Sequence, residues 1–305
     1  MLKNRGIERS ASLGIAFGGA LWGVFWLPVR AVSDAGITGV WAGLSCYLTL
    51  ITGMIVIMVF RRGLVSTPIA PLALCGLLTG SAFTLYATSL LLTDVVRVLL
   101  LFYMTPLWST LASRIFLGER LTINRMFALL LAFMGLITIL GVGEQFPWPR
   151  NVGDWMALVA GLMWALGSTQ AYRLESSGTF EQVLAFLSGS IFSSILIIAL
   201  AGPEIAGSYE TAQWPSAAVF VLLTSLFAIP MMVLTIWPLR ILPPARVGLL
   251  LMTEVVVGIL SAAMLSGEPF GPREAIGSIL VLAAGVVEVL GPFGRKGRTK
   301  TQGAG

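Results

Sequence analysis

Two stretches of this chain match each other at a distance of 149 positions, and the match decides how the sequence is organised. Residues 97–120 read RVLLLFYMTPLWSTLASRIFLGER, and residues 246–269 read RVGLLLMTEVVVGILSAAMLSGEP. Seven of the 24 positions are identical, including an arginine before the apolar run and a Gly-Glu pair behind it. A second match lays residues 19–22, GALW, over residues 161–164, GLMW, at a shift of 142. The chain therefore contains an internal repeat of about half its length.

The composition is that of a membrane protein. Of the 305 residues, 57% are hydrophobic and 11% are charged, and the mean hydropathy is +0.92. Soluble domains carry roughly 25% charged residues because a globule needs a polar surface, so a soluble protein is excluded. The chain has no histidine, and its two cysteines stand in separate apolar runs. This pattern excludes histidine-based catalysis and Cys/His metal sites, and we expect neither a cofactor nor enzymatic activity.

Apolar stretches close to the roughly 20 residues that a transmembrane helix needs recur along the chain, with short polar interruptions. Helices are required because backbone amides in lipid must be satisfied within the segment. The predicted fold is an all-α polytopic membrane protein with ten transmembrane helices, built as two inverted five-helix repeats over residues 1–146 and 147–294. Residues 295–305 are predicted to be a basic cytoplasmic tail. The predicted spans are 13–32, 38–60, 69–92, 95–117, 122–142, 153–172, 180–201, 215–237, 244–265 and 273–293.

Lysine and arginine predict the orientation of these spans. Of the 19 Lys and Arg residues, 15 lie on the side that holds both termini, and the positive-inside rule makes that side cytoplasmic. The basic balance therefore reflects membrane topology, and nucleic acid is not expected as a partner. We expect a monomer with an uncleaved first helix that crosses a bacterial inner membrane, surrounded by the lipid bilayer.

An odd number of helices in each half means that the second half enters the membrane upside down relative to the first. Inverted repeats of this kind are the common plan of secondary transporters, whose substrate site lies between the halves near the midplane of the membrane. A channel or a duplicated structural protein would show the same repeat, and these alternatives stay open. No phosphate-binding loop is present, so ATP-driven pumping is not expected.

The segment from Tyr103 to Thr122, with its echo over residues 253–268, resembles the repeated motif of the drug/metabolite transporter superfamily, EamA type. The resemblance covers both halves, although Val255 stands where members usually carry proline after the glutamate. Residues 251–288 and the Trp-rich first helix are similar to bacterial aromatic amino acid exporters. The resemblance implies export of amino acids, aromatic ones included, by alternating access around a midplane cavity. An exporter of organic cations, drugs or other small amphiphilic metabolites is the alternative.

Polar side chains facing lipid are costly, so polar residues within the spans should point into the bundle. Helical spacings of three and four then select candidate lining residues from both halves. Trp22 and Trp164 occupy matching positions in the two repeats, which interfacial anchoring does not explain. The candidate substrate-binding residues are Trp22, Tyr86, Tyr103, Thr105, Trp108, Trp164, Ser168 and Glu254.

Glu254 is the only carboxylate predicted well inside a span, because Glu288 lies near enough to the cytoplasmic end to reach Arg295 or Lys296. Three roles for Glu254 stay open: partner of a substrate amine, proton-binding site, or structural carboxylate where helices meet. No Lys or Arg is predicted in mid-membrane, which disfavours phosphorylated substrates. A zwitterionic amino acid fits better, because helix N-termini at kinked segments can meet its carboxylate.

Overall fold

The computed structural model describes residues 2–60, 67–93, 95–119, 121–140, 149–174, 177–265 and 271–290, and the regular elements in these ranges are α-helices. The basic tail predicted over residues 295–305 lies outside them, as do Arg295 and Lys296. The helices are α1 Leu2–Val24, α2 Trp26–Asp34, α3 Val40–Phe60, α4 Ile69–Leu92, α5 Val95–Phe102, α6 Thr105–Leu117, α7 Ile123–Leu140, α8 Val152–Arg173, α9 Thr179–Leu200, α10 Pro203–Ala206, α11 Ser216–Leu239, α12 Pro244–Leu251, α13 Thr253–Leu265 and α14 Pro272–Leu290.

Three of the predicted spans are broken helices. Only Phe25 separates α1 from α2, Tyr103 and Met104 separate α5 from α6, and Met252 separates α12 from α13. With each of these pairs counted as one segment and the short α10 set aside, the described ranges hold the ten predicted spans. Six of the helical segments in these ranges are individually long and apolar enough to cross a membrane: Gly6–Asp34, Val40–Phe60, Ile69–Leu92, Thr179–Leu200, Ser216–Leu239 and Pro244–Leu265.

The helix contacts show the duplication. α1 packs against α11 and the broken pair α12–α13, and its counterpart α8 packs against α4 and the broken pair α5–α6. The remaining counterparts pack against each other, α3 on α9 and α7 along α14. Equivalent helices of the two repeats thus have equivalent neighbours, as expected of two five-helix repeats related by an approximate twofold axis. Below, the inner end of the bundle is the end where α6 ends and α12 begins, which the arginine count predicts to be cytoplasmic, and the outer end is the opposite one.

Glycines allow the halves to approach closely. A Cβ at Gly76 of α4 would lie 2.1 Å from the carbonyl oxygen of Ala185 in α9, and one at Gly80 would lie 2.3 Å from the amide nitrogen of Ser190. A Cβ at Gly135 of α7 would lie 2.7 Å from the carbonyl oxygen of Gly277 in α14. Without a hydrophobic drive between helices in lipid, such close backbone packing stabilises the bundle.

Buried ion pairs tie α7 to α14 at the inner end. Arg125 at the start of α7 donates to Glu119 at 2.9 Å and to Glu288 in α14 at 3.3 Å. Arg125 and Glu288 are each 7% exposed. Among the described residues, Glu288 therefore pairs with an arginine of the first repeat, and the predicted contact with Arg295 or Lys296 lies outside the described ranges.

Candidate functional site

Two helix breaks at equivalent positions of the repeat form the centre of the molecule. Proline at position 106 has no amide hydrogen, and α6 begins at the residue before it. In the preceding turn the amide of Met104 donates to the Leu101 carbonyl at 3.4 Å, which is a three-residue step. The second break lies at Met252, which is 149 positions after Tyr103. There the amide of Met252 bonds the Leu249 carbonyl at 3.3 Å, another three-residue step.

Close backbone contact holds α8 against the first break. A Cβ at Gly161 would lie 2.7 Å from the Phe102 carbonyl oxygen and 2.9 Å from Thr105 Oγ1, so only glycine fits there without movement. The Thr105 hydroxyl donates to the Phe102 carbonyl at 2.5 Å and reaches the Gly161 carbonyl at 3.4 Å. Thr105 thus satisfies a carbonyl that the helix break leaves without its ordinary partner.

Glu254, in the first turn of α13, is held between two tyrosines from the other repeat. Tyr86 donates its hydroxyl to Glu254 Oε1 at 2.7 Å, and Tyr103 donates its hydroxyl to Oε2 at 2.6 Å. The Tyr103 hydroxyl also lies 3.4 Å from the Leu251 carbonyl, which borders the second break. Glu254 is 6% exposed, and among the described residues no Lys or Arg forms an ion pair with it. The carboxyl group is buried, hydrogen-bonded on both oxygens and unpaired with a cation in the described structure.

A cavity lies beside this carboxyl group, with about 350 Å³ of empty space when the open space at its mouth is included. Its aromatic walls are in mutual contact, with ring centroids 4.8 Å apart for Trp22 and Phe83 and 4.4 Å apart for Tyr86 and Phe102. Both repeats contribute, so the cavity lies on the interface between them. The lining residues are Trp22, Ala82, Phe83, Tyr86, Phe102, Trp164, Leu251 and Glu254.

The two repeat-related tryptophans differ in their hydrogen bonds. Trp22 donates its indole N–H to Thr235 Oγ1 at 3.0 Å. Trp164 is 4% exposed, and its indole N–H has no acceptor among the residues that the structure describes. A buried N–H group is rarely left without a partner, so the Trp164 indole is an unsatisfied donor in a residue of the cavity wall.

Four of the eight predicted site residues line this cavity: Trp22, Tyr86, Trp164 and Glu254. Tyr103 is 1% exposed and approaches Glu254 from behind, packed among residues of α7, α13 and α14. Thr105 lies at the first helix break. Ser168 bonds the Ala165 carbonyl at 3.0 Å, one turn beyond Trp164, and Trp108 lies one turn beyond Thr105 on α6. These last four residues are not among the lining side chains of the described structure.

Phe102 and Leu251 line the cavity but were not in the predicted set. Each is the last residue before a helix break. A stripe drawn along one continuous helix misses them, because the break changes which side chain faces the interior. Pro106 was the available signal, since proline predicts an interrupted helix just before it. Within the described residues, no group of three or more Cys, Asp or Glu side chains could hold a metal ion.

An all-helical membrane protein made of two repeats, with a cavity at paired helix breaks between them, has the architecture of a membrane transporter. The family comparison agrees. The model of the EamA-like transporter family matches residues 9–141 and again residues 151–289. The chain therefore belongs to the EamA-like transporter family, whose members are membrane transporters of small molecules and not enzymes.

Solved structures show the same fold. Matches extend to 29 chains, among them one titled only "Crystal structure of protein". That chain is 20% identical, aligns with a TM-score of 0.70, and the alignment covers 92% of this chain and 98% of that one. No curated protein matches this sequence.

Proposed function

We propose that this protein is a secondary transporter that exports amino acids, aromatic ones included, across a bacterial inner membrane by alternating access. The observation that carries the proposal is the cavity beside Glu254, which combines one unpaired carboxyl group with a ring of aromatic side chains. In lipid surroundings such a carboxyl group is costly and is most often kept for function. It offers a partner for a positively charged group.

The chemistry of an amino acid matches each part of this cavity. Its ammonium group would replace the Tyr86 hydroxyl at Glu254 Oε1 and would also meet the electron-rich faces of neighbouring rings. Its carboxylate would accept from the indole N–H of Trp164, which lacks a partner among the described residues. An aromatic side chain would pack against Trp22, Phe83 and Phe102.

The charge of the cavity disfavours phosphorylated substrates. The lining set contains neither lysine nor arginine, whereas phosphate recognition normally uses such side chains.

Radiolabelled phenylalanine, tryptophan and threonine, followed in proteoliposomes, test the proposal. We expect faster flux than in protein-free liposomes, saturating with concentration as a carrier requires and a channel does not. The variants Glu254→Gln and Trp164→Ala should each lower the flux. Trp155→Ala is the matched control, because Trp155 is 56% exposed on the surface of α8 and should behave like the parent protein. Equal flux with and without protein for every amino acid would reject the proposal.

Export of organic cations is the second candidate, because Glu254 and the aromatic rings need only a positive charge. Competition separates the two. Phenylalanine and its methyl ester both carry the ammonium group, but only phenylalanine carries the carboxylate assigned to Trp164. An exporter of organic cations should be inhibited more strongly by the ester and by tetraphenylphosphonium, whereas an amino acid exporter should prefer phenylalanine.

A further inference from the structure

Three buried polar groups without partners among the described residues lie close together on α6, outside the cavity described above. The indole N–H of Trp108 and the hydroxyls of Ser109 and Ser113 have no hydrogen-bond partner among the described residues. Ser109 is 0% exposed and Ser113 is 1% exposed. Four residues separate the two serines, so they share a face of the helix with Thr105, which is one turn nearer to the cavity.

This arrangement is unusual within the molecule. Thr110, on the same helix, bonds the Pro106 carbonyl at 2.7 Å, and Ser190 in α9 bonds the Phe186 carbonyl at 3.0 Å. Buried hydroxyls in these helices therefore have carbonyl partners within reach. The groups on this face of α6 are exceptions to a strong rule, and such exceptions in membrane proteins are expected where a segment borders water.

The part of α6 that carries Pro106 and Ser109 lies against α12. A Cβ at Gly248 would lie 3.2 Å from Pro106 Cα and 3.3 Å from Ser109 Oγ, so the two helices touch at this level. Leu251 of the cavity is one turn from Gly248 in one direction, and Arg246, which is 2% exposed, lies in the other direction. From the cavity to the inner end, the α6–α12 seam is thus closed and lined on one side by polar groups.

We infer that Ser109 and Ser113, together with the Trp108 indole, line the passage between the cavity and the inner end of the bundle. The contact of α6 with α12 at Gly248 closes this passage in the present structure. When the seam opens, the three groups gain water as partner and offer hydrogen bonds to the polar groups of the molecule in transit. The inference depends on the proposed alternating access but not on which molecule is carried.

Thiol labelling in membrane vesicles tests the inference without any substrate. Cys46 and Cys75 are first replaced by alanine, and Ser113→Cys or Ser109→Cys is then added to the full-length protein. A membrane-impermeant methanethiosulfonate reagent reports water access, since cysteine reactivity follows exposure. The matched control is Ser190→Cys, because Ser190 is also 0% exposed but its hydroxyl is bonded to the Phe186 and Gly80 carbonyls.

We expect Ser113→Cys to react at least about tenfold faster than Ser190→Cys, with Ser109→Cys between them because it lies deeper. The reagent should reach the cysteine from the inner side. Labelling should therefore be faster in inside-out than in right-side-out vesicles. Gly248→Leu, which prevents close contact of α6 with α12, should raise the rate at Ser113→Cys further. If the leucine variant does not insert into the membrane, Gly248→Ala replaces it. The alanine needs α6 and α12 to move apart by only a few tenths of an ångström, and it should also raise the labelling rate at Ser113→Cys.

Two results would overturn the inference. One is labelling of Ser113→Cys no faster than Ser190→Cys, in the parent and in both Gly248 variants. The other is labelling of Ser113→Cys from the outer side only. If the protein carries no amino acid but the cysteines are labelled as expected, the proposed substrate is rejected and the passage is supported. The two hypotheses can therefore fail separately.

Discussion

The two tyrosines on Glu254 should respond differently to removal of their hydroxyl groups. Tyr86 lies on the cavity wall and donates to Oε1 at 2.7 Å, whereas Tyr103 donates to Oε2 at 2.6 Å from the opposite side. If the substrate ammonium replaces the Tyr86 hydroxyl, that hydrogen bond is present in the empty protein and absent in the complex. The Tyr103 bond is present in both states.

The expected changes in affinity and stability follow from this difference between the two hydrogen bonds. A hydrogen bond to a charged group contributes roughly 1.5–3 kcal/mol, and about 1.4 kcal/mol corresponds to tenfold in affinity. Tyr86→Phe removes a bond that binding would otherwise break, so substrate affinity should rise by roughly 10- to 150-fold. Tyr103→Phe destabilises the empty and the bound protein alike, so affinity should stay within about twofold while the free energy of unfolding falls by roughly 1.5–3 kcal/mol.

Titration calorimetry with phenylalanine and denaturant unfolding, both in the same detergent, measure the two quantities. The double variant should combine a higher affinity with a lower stability, although residues that share one carboxyl group need not be strictly additive. A loss of affinity of similar size in both single variants would refute the reasoning. It would mean that the ammonium group does not displace Tyr86, and that both hydroxyls instead support the bound state.

Three further predictions concern the packing and the coupling. Arg125→Met should lower the free energy of unfolding by roughly 3–5 kcal/mol, because it removes the ion pair that the buried Glu288 forms with Arg125, and adding Glu288→Met should recover part of the loss in a denaturant titration. Gly76→Val should reduce the folded yield measured by size-exclusion chromatography, whereas Gly53→Val, with no atom within 4 Å of its Cβ position, should not. If Glu254 also carries a proton, an imposed pH gradient should change the flux of the parent protein but not of Glu254→Gln, and the same response in both would exclude it.

The architecture was predictable because it depends on local patterns. Runs of apolar residues give the spans, and the match at a shift of 149 gives the duplication, so the ten-span plan needs no tertiary information. Trp22, Trp164, Tyr86 and Glu254 were identified as cavity residues because each lies in a continuous stretch of helix or at a repeat-matched position.

The details that the sequence did not predict depend on contacts between distant segments. Tyr103 was predicted to bind substrate, whereas in the structure it lies at the break after Phe102, bonds Glu254 and does not line the cavity. The partner of Glu288 is Arg125, 163 residues away, and local charge patterns cannot reveal a pairing that arises only when α7 and α14 pack together. Phe102, the last residue before the same break, does line the cavity. The backbone breaks, rather than the side-chain types, decide these positions.

The repeats share a fold but have diverged in the hydroxyl groups that α6 and α13 carry between the cavity and the two ends of the bundle. Shifting by 149 positions places Gly258 over Ser109 and Ala262 over Ser113, so the second repeat lacks both hydroxyls that face the inner seam in the first. The hydroxyl that α13 does carry toward the outer end, Ser261, bonds the Gly23 carbonyl at 3.1 Å and accepts the Trp26 indole N–H at 3.0 Å. At the outer end, the contact of α13 with α1 and α2 is therefore held by satisfied hydrogen bonds, which must break before these helices separate. The inner seam is closed by packing over hydroxyls that have no partner among the described residues, and hydration of those hydroxyls favours its opening. Duplication gives the two halves the same fold, and the divergence of Ser109 and Ser113 from Gly258 and Ala262 makes the inner and outer ends of the bundle different.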